Sequence, residues 1–264
     1  MTETLLVRRE GTVAELRLNR PERLNALDVP SFERFRRALE EMALDPRIRG
    51  LVLTGSGRAF CAGGDVAAME ASRREGTLPS FFHSLTGEQE RSVRLIVGMA
   101  KPVVAALPGV AAGGGLSLAL AADWRIAAEG AELVPAFPAL GAVPDGGLSY
   151  FLPHFLGLGL AQELLFTNAR ISAVRARELG LVHEVVPADR LSDRAWERAQ
   201  ELAKGPTFAY GWMKRLLLSA FTESLEGQLA LERRGAVEAA HRGELPEGIE
   251  AFRAKRPPNF PQPP

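Results

Sequence analysis

Gly113, Gly114 and Gly115 run in succession in AAGGGLSLALAAD, after a buried apolar strand and before an apolar run that reads as a helix. The first N–H groups of a helix have no intrahelical acceptor and sit at the positive end of its dipole. Glycine there lets a substrate approach the backbone with no Cβ in the way, which suits a phosphate or an oxyanion formed during reaction. Close packing of the helix start against a strand accounts for the glycines equally well. A dinucleotide-binding turn does not, because the G-x-G-x-x-G spacing fails at Leu118. A second small-residue stretch, GSGRAFCAGGDV from Gly55 to Val66, also follows a buried strand and precedes a predicted helix. Two bare turns favour a pair of amides converging on one oxygen, an arrangement in which losing one donor costs roughly 3 to 4 kcal/mol of transition-state stabilisation.

The elements that must position these turns can be read from pattern. TLLVRR and TVAELRLNR are strand-like and joined at Glu10-Gly11, a hairpin. Pro30-Ser31 opens a helix with Phe32, Phe35, Leu39 and Met42 on one face, and Asp45-Pro46 closes it. GLVLTG, VVAAL and DWRIAA read as buried strands. The segment from Ala71 to Gly87 is polar, contains glycines and a proline and has no clean period, so it reads as mobile surface structure. From Asp189 onward the pattern is helical alone, with Leu191, Ala195, Ala199 and Leu202 on one face and PTFAYGWMKRLLLSA as a second helix. Pattern by itself suggests a mixed α/β core, wound as a doubly wound sheet, followed by a helical tail.

Composition narrows the function classes. The 264 residues are 46% hydrophobic with a formal net charge of zero, so there is no basic field to recruit nucleic acid or an anionic membrane. The N-terminal stretch carries no apolar run of the length that crosses a bilayer, and the expectation is a cytoplasmic protein. Cys61 is the single cysteine and the four histidines are scattered, so no metal site is expected.

Five stretches carry a family resemblance: RPERLNALD, GRAFCAGGD, KPVVAALPGVAAGGGLSLALAADWRIA, LGAVPDGGLSYFLP and GIEAFRAKRPPNF. In this order, from about residue 17 to residue 259, they resemble the crotonase superfamily, the enoyl-CoA hydratase/isomerase family. The resemblance implies an α/β fold in which ββα turns wind into a spiral core (residues 1–190, binding acyl-CoA), followed by a helical oligomerisation region (residues 191–264) that builds a homotrimer or a dimer of trimers. It replaces the doubly wound expectation. It implies an acyl-CoA substrate whose thioester oxygen is held by the N–H groups of Gly64 and Gly114, with no cofactor beyond the CoA moiety itself. By the same resemblance Arg23 meets the nucleotide phosphates, Leu24, Ala26, Ala62, Asp65 and Val66 surround adenine and pantetheine, and Phe252 and Lys255 add tail contacts to CoA. Some relatives of this fold bind RNA, a role that the neutral total charge speaks against.

The chain departs from the family's hydratases. Their two glutamates fall at Ser117 and Phe137 here, and neither residue can act as a carboxylate base. Eight residues past Phe137 stands Asp145, whose position resembles the catalytic aspartate of the family's isomerases, ring-opening isomerases and dehalogenases. Aspartate is also a common N-cap, and here it precedes a predicted helix. As acid/base it would take a proton from the acyl chain and return it at another carbon, with its pKa raised by apolar walls from Phe137, Leu140 and Val143. An isomerase is the leading expectation, a hydratase with a non-standard acid the alternative, and a non-catalytic or RNA-binding member a further one. His83 is expected on a surface loop, Ser117 as a packed helix hydroxyl and Cys61 as a small buried hydrophobe.

Overall fold

The computed structural model describes residues 3–260. The chain opens with the hairpin β1 (Leu5–Glu10) and β2 (Val13–Leu18), then α1 (Val29–Leu44), β3 (Gly50–Gly55), β4 (Ala59–Cys61), α2 (Val66–Arg74) and α3 (Leu78–Gly98). Next come β5 (Val103–Leu107), β6 (Val110–Ala112), α4 (Gly114–Ala121), β7 (Trp124–Ala128), β8 (Glu132–Val134), α5 (Leu148–Leu156) and α6 (Leu158–Thr167). The remaining elements are β9 (Ile171–Ser172), α7 (Ala173–Glu178), β10 (Glu184–Val186) and the helices α8 (Leu191–Ala203), α9 (Thr207–Ser219), α10 (Leu225–Ala240) and α11 (Glu244–Arg253).

The strands divide between two sheets. One has the order β1-β2-β3-β5-β7-β10 and the other β4-β6-β8-β9. Each long buried strand stays in the first sheet, and the short strand after it crosses to the second, so β3/β4, β5/β6 and β7/β8 are successive turns of a spiral. This is the crotonase fold. A doubly wound sheet fails for a physical reason: the chain turns at each glycine-containing corner and places three-residue strands in a separate sheet. Gly55 shows how tight such a corner is, since a Cβ there would lie 2.3 Å from the carbonyl oxygens of both Ala59 and Phe60.

Helix α1 forms as its caps and stripe dictate. Asp28 accepts from Ser31 N, and Phe32, Phe35, Leu39 and Met42 are buried. The segment read as mobile between Ala71 and Gly87 is instead ordered: it holds the end of α2 and the first half of the 21-residue α3. The stripe of α3 is Leu85, Gln89, Ser92 and Ile96, which recurs at helical spacing but is half polar, so a search for apolar periodicity passes over it. Helix α3 packs along α1, and Arg36 reaches from α1 to Glu88 with Nε to Oε2 at 2.6 Å.

A buried lysine and a half-buried one close the C-terminal ends of these helices. Lys101 Nζ donates to Met42 O and Asp45 O at the end of α1, and burial lowers its pKa to about 8. Lys214, from α9, donates to Ile96 O at the end of α3 and to Asp123 Oδ2, both at 2.8 Å. From Leu191 the regular elements among the described residues are helices, and α8 packs its Leu191, Ala195, Ala199 and Ala203 face on the large sheet.

Candidate active site

The loop before α1 is built to lie across the first glycine turn. Asn25 is fully buried with a φ of 58°, accepts from Arg20 N and donates to Ser56 O and Ala59 O at 2.9 and 2.8 Å. Leu24, also left-handed at 51°, accepts from Ala62 N; Leu27 N donates to Gly63 O, and Asp65 N to Leu27 O. Leu24, Ala26, Ala62, Asp65 and Val66 are thereby gathered at one place. The amides of Ala62 and Asp65 are consumed by this loop, whereas the Gly64 amide between them finds no acceptor among the described residues. Asp65 caps α2 through Ala67 N and Ala68 N and pairs with Arg20 at 2.8 Å and Arg23 at 3.2 Å. Burial works to raise its carboxyl, but Arg20 and the capped amide, with Arg23 beyond them, hold it below the usual carboxylate range.

The three glycines that open α4 are bare for three separate reasons. Gly113 has a φ of 51°, a backbone that L side chains rarely adopt, and its N–H is spent on Val134 O. A Cβ on Gly114 would stand 2.9 Å from Gln89 Oε1 and 3.0 Å from Gln89 Nε2. A Cβ on Gly115 would stand 2.2 Å from the carbonyl oxygen of Cys61. Close packing of turn against turn therefore explains Gly115, while the Gly114 amide, at the first helical position, is left without an acceptor among the described residues. The two turns touch: a Cβ on Gly63 would lie 3.2 Å from Gly114 N. Cys61 is buried between them, and desolvation pushes its thiol up to about 12, a small inert hydrophobe.

Gly64 and Gly114 border one small cavity of about 80 Å³, together with Met69, Phe82, Leu85, Gln89, Phe137 and Asp145. Among the described residues, Asp145 is the only ionisable one on that lining. It is not an N-cap. Helix α5 starts at Leu148 with Gly147, not Asp145, at the cap position and no side-chain capping bond. The two intervening glycines have φ values of 57° and 85° and turn the backbone so that the Asp145 carboxyl faces the cavity instead. Its Oδ1 is buried with no hydrogen-bond partner, and desolvation pushes the pKa up to about 6, opposed by the nearby Gln89 amide. The apolar surroundings are not those expected from sequence. Val143 is 78% exposed and lies off the lining, and Leu140 is 58% exposed at its rim; buried Phe137 remains.

Ser117 is fully buried, and its Oγ donates to Asp145 O at 2.8 Å and lies 3.3 Å from Gly113 O. His83 is exposed on α3 and does not border the cavity, whereas its neighbour Phe82 does. Arg23 is exposed beside the Leu24–Asp65 junction, and Val66, 54% exposed, borders the cavity, as does Ala62. Phe252 and Lys255 lie at the end of α11, exposed, and border neither this cavity nor its loops; α11 is tied to the chain through α10 and through Glu244, which accepts from Phe208 N and Ala209 N. Sequence reasoning missed Gln89, 2% exposed on α3, whose signal was the misread polar stripe. No helix among the described residues is long and apolar enough to cross a membrane.

Comparison with known proteins agrees with this architecture. The family model described as enoyl-CoA hydratase/isomerase matches residues 8–263. The 1,2-epoxyphenylacetyl-CoA isomerase of Escherichia coli K12 is 39% identical over 260 residues, covering 98% of this chain and 99% of that protein. The crystal structure of an enoyl-CoA hydratase from Polaromonas sp. JS666 superposes with a TM-score of 0.92 at 37% identity, covering 97% of this chain and 99% of that one. An enoyl-CoA hydratase from Bacillus anthracis gives 0.90 at 32% identity, covering 98% and 99%. With its spiral of paired strands and a family match that spans nearly all of it, the chain belongs to the enoyl-CoA hydratase/isomerase family.

Proposed function

We propose that this enzyme isomerises an acyl-CoA thioester, shifting a double bond or rearranging a ring, through an enolate held by Gly64 and Gly114 with Asp145 as the acid/base. The observation that carries the reading is that Asp145 is the sole ionisable residue, among those described, on the cavity bordered by Gly64 and Gly114, whose amides find no acceptor among the described residues. Hydration of a conjugated thioester in this family employs two carboxylates, and their places hold the buried hydroxyl of Ser117 and the apolar ring of Phe137. Isomerisation asks for one group only. As carboxylate, Asp145 removes the proton and the carbonyl takes up the electron pair as an enolate, which the two amides stabilise. The carboxylic acid so formed then returns the proton at a different carbon. A pKa near 6 suits both halves, because the group is ionised at neutral pH and is still acidic enough to give the proton back. The name of the Escherichia coli relative supports an aryl, ring-rearranging version of this chemistry.

In this reading Arg23, Leu24, Ala26, Ala62, Asp65 and Val66 hold the CoA moiety, Phe137 walls the acyl group, and no further cofactor takes part. Phe252 and Lys255 belong to the same CoA surface once the helical region from residue 191 onward assembles the protein as a homotrimer or dimer of trimers; their absence from the cavity lining within one chain fits contacts made across such an interface. Incubation with enoyl-, dienoyl- and cyclic acyl-CoA esters in deuterium oxide tests the proposal. Expected are exchange and an isomeric product of unchanged composition. Net addition of water to a simple enoyl-CoA would replace the isomerase with a hydratase.

A further inference from the structure

Gln89 has no assigned role, yet its amide stands where the two halves of the site meet. It is 2% exposed, borders the cavity and is wedged between two glycines. A Cβ on Gly114 would meet its Oε1 at 2.9 Å, and a Cβ on Gly146, next to Asp145, would meet its Nε2 at 1.8 Å. Both glycines leave room for the same amide. Gln89 Nε2 is a buried donor without an acceptor, and Asp145 Oδ1 is a buried acceptor without a donor. Two complementary orphans on one lining are costly apart and satisfied together.

We propose that Gln89 is the positioning residue for Asp145, its Nε2–H turning onto Oδ1 to fix the carboxyl toward the acyl chain. The proposal rests on the reading of Asp145 as the acid/base. Glutamine suits this task in a way that a cation would not. It donates to the carboxylate without adding a charge, so it orients the group and lowers its pKa only modestly, against the larger effect of burial. Arginine or lysine would bind the carboxylate alone and hold the pKa down. Other charges are directed elsewhere. Glu88, beside Gln89 on α3, is engaged by Arg36 and Arg91; Asp65, just before α2, is engaged by Arg20 and Arg23; residues 113–121, through α4, and 146–156, through α5, carry no ionisable side chain other than Tyr150, whose hydroxyl donates to Leu218 O, and His154, whose Nδ1 lies on Tyr150 O and which does not border the cavity.

The test reads Asp145 directly. Carboxyl NMR with isotopically labelled aspartate, assigned by comparison with Asp145→Asn, follows its titration in the wild type and in Gln89→Met, which keeps the length of the side chain and removes the amide. Expected is an upward shift of about one pH unit in Gln89→Met, since a donor to the charged form is lost. With an active substrate, kcat falls roughly 10- to 100-fold while KM changes little, and Gln89→Asn recovers part of the loss. An unshifted titration in folded Gln89→Met overturns the proposal. If Gln89→Met does not fold, the wild-type Gln89 side-chain amide resonances decide: they shift with the Asp145 titration if the bond exists, and their indifference to it overturns the proposal. Should Asp145→Asn keep full activity, the acid/base reading fails while the NMR result still reports on the pair.

Discussion

Ser117 Oγ donates to the main-chain oxygen of Asp145 at 2.8 Å, so a hydroxyl on the apolar helix α4 braces the turn that carries the one ionisable group of the cavity. By its family resemblance Ser117 stands at a hydratase glutamate position, and the hydroxyl there is a strut. Ser117→Ala removes the bond and leaves the buried carbonyl of Asp145 with one donor, Leu148 N. Expected is a loss of about 1 kcal/mol in stability, read as a lowered denaturation midpoint, together with a lower kcat as the carboxyl drifts. A Ser117→Ala enzyme as stable and as fast as wild type would show the strut to be idle.

Asp145→Asn exchanges activity for stability. The folded pKa of about 6 lies above the ordinary aspartate value, so the folded chain binds the proton more tightly than the unfolded chain. The stability this proton contributes is present below the unfolded pKa of about 4 and is lost as pH rises through 6. At pH 8 the buried charge is a net cost that asparagine lacks. Urea titrations should find the variant more stable than wild type at pH 8, on the order of 1 kcal/mol, with the gap closing near pH 4, while turnover falls by roughly 100-fold or more.

The pH dependence of kcat/KM follows from the same group. Proton removal from the acyl chain needs the carboxylate, and Asp145 is the sole titrating residue on the lining. Activity should therefore fall on acidification with a midpoint near pH 6. A profile flat down to pH 5 would separate Asp145 from the proton-transfer step.

The three glycines should fail differently. Gly115→Ala drives a methyl into the Cys61 carbonyl and is expected to destabilise the fold most, by about 3 kcal/mol. Gly113→Ala meets nothing nearer than 3.8 Å but strains a φ of 51°, at about 1 to 2 kcal/mol. Gly114→Ala meets only the movable end of Gln89, so it should keep most of its stability and lose turnover. Thermal denaturation and kcat measured on the three variants check the order.

His183 gives the fold an acid limit of its own. Its Nδ1 accepts from Arg125 N at 3.0 Å, and its ring stacks on Trp124 with centroids 4.4 Å apart. Desolvation, reinforced by Arg125 and Arg177, lowers its pKa to about 4. A depressed histidine contributes stability that is present above the unfolded pKa of about 6.5 and lost as pH falls through 4. His183→Gln, which keeps an acceptor, should flatten the decline of stability between pH 6.5 and 4; an unchanged slope would place the acid sensitivity elsewhere.

Local chemistry was enough for the hairpin, for α1 with its caps and stripe, for the buried strands and for the two glycine turns, because each follows from turn residues or apolar period within a dozen positions. The same local reading failed at α3, where Gln89 and Ser92 interrupt the apolar stripe, and at Asp145 it left open a capping role that the Gly146-Gly147 backbone removes. Family resemblance located Gly64, Gly114 and Asp145 by motif, but it said nothing of what surrounds them.

What the sequence by itself determined is the set of bare backbone corners and the single acidic residue in VPDGG, both matters of local composition. What only the tertiary structure decided is that positions 64, 89, 114 and 145 share one cavity, and that a buried unpaired donor on Gln89 and a buried unpaired acceptor on Asp145 both belong to residues lining it. The reason is physical: desolvation and the pairing of buried polar atoms depend on neighbours brought from three successive turns of the spiral, and no window along the chain contains them.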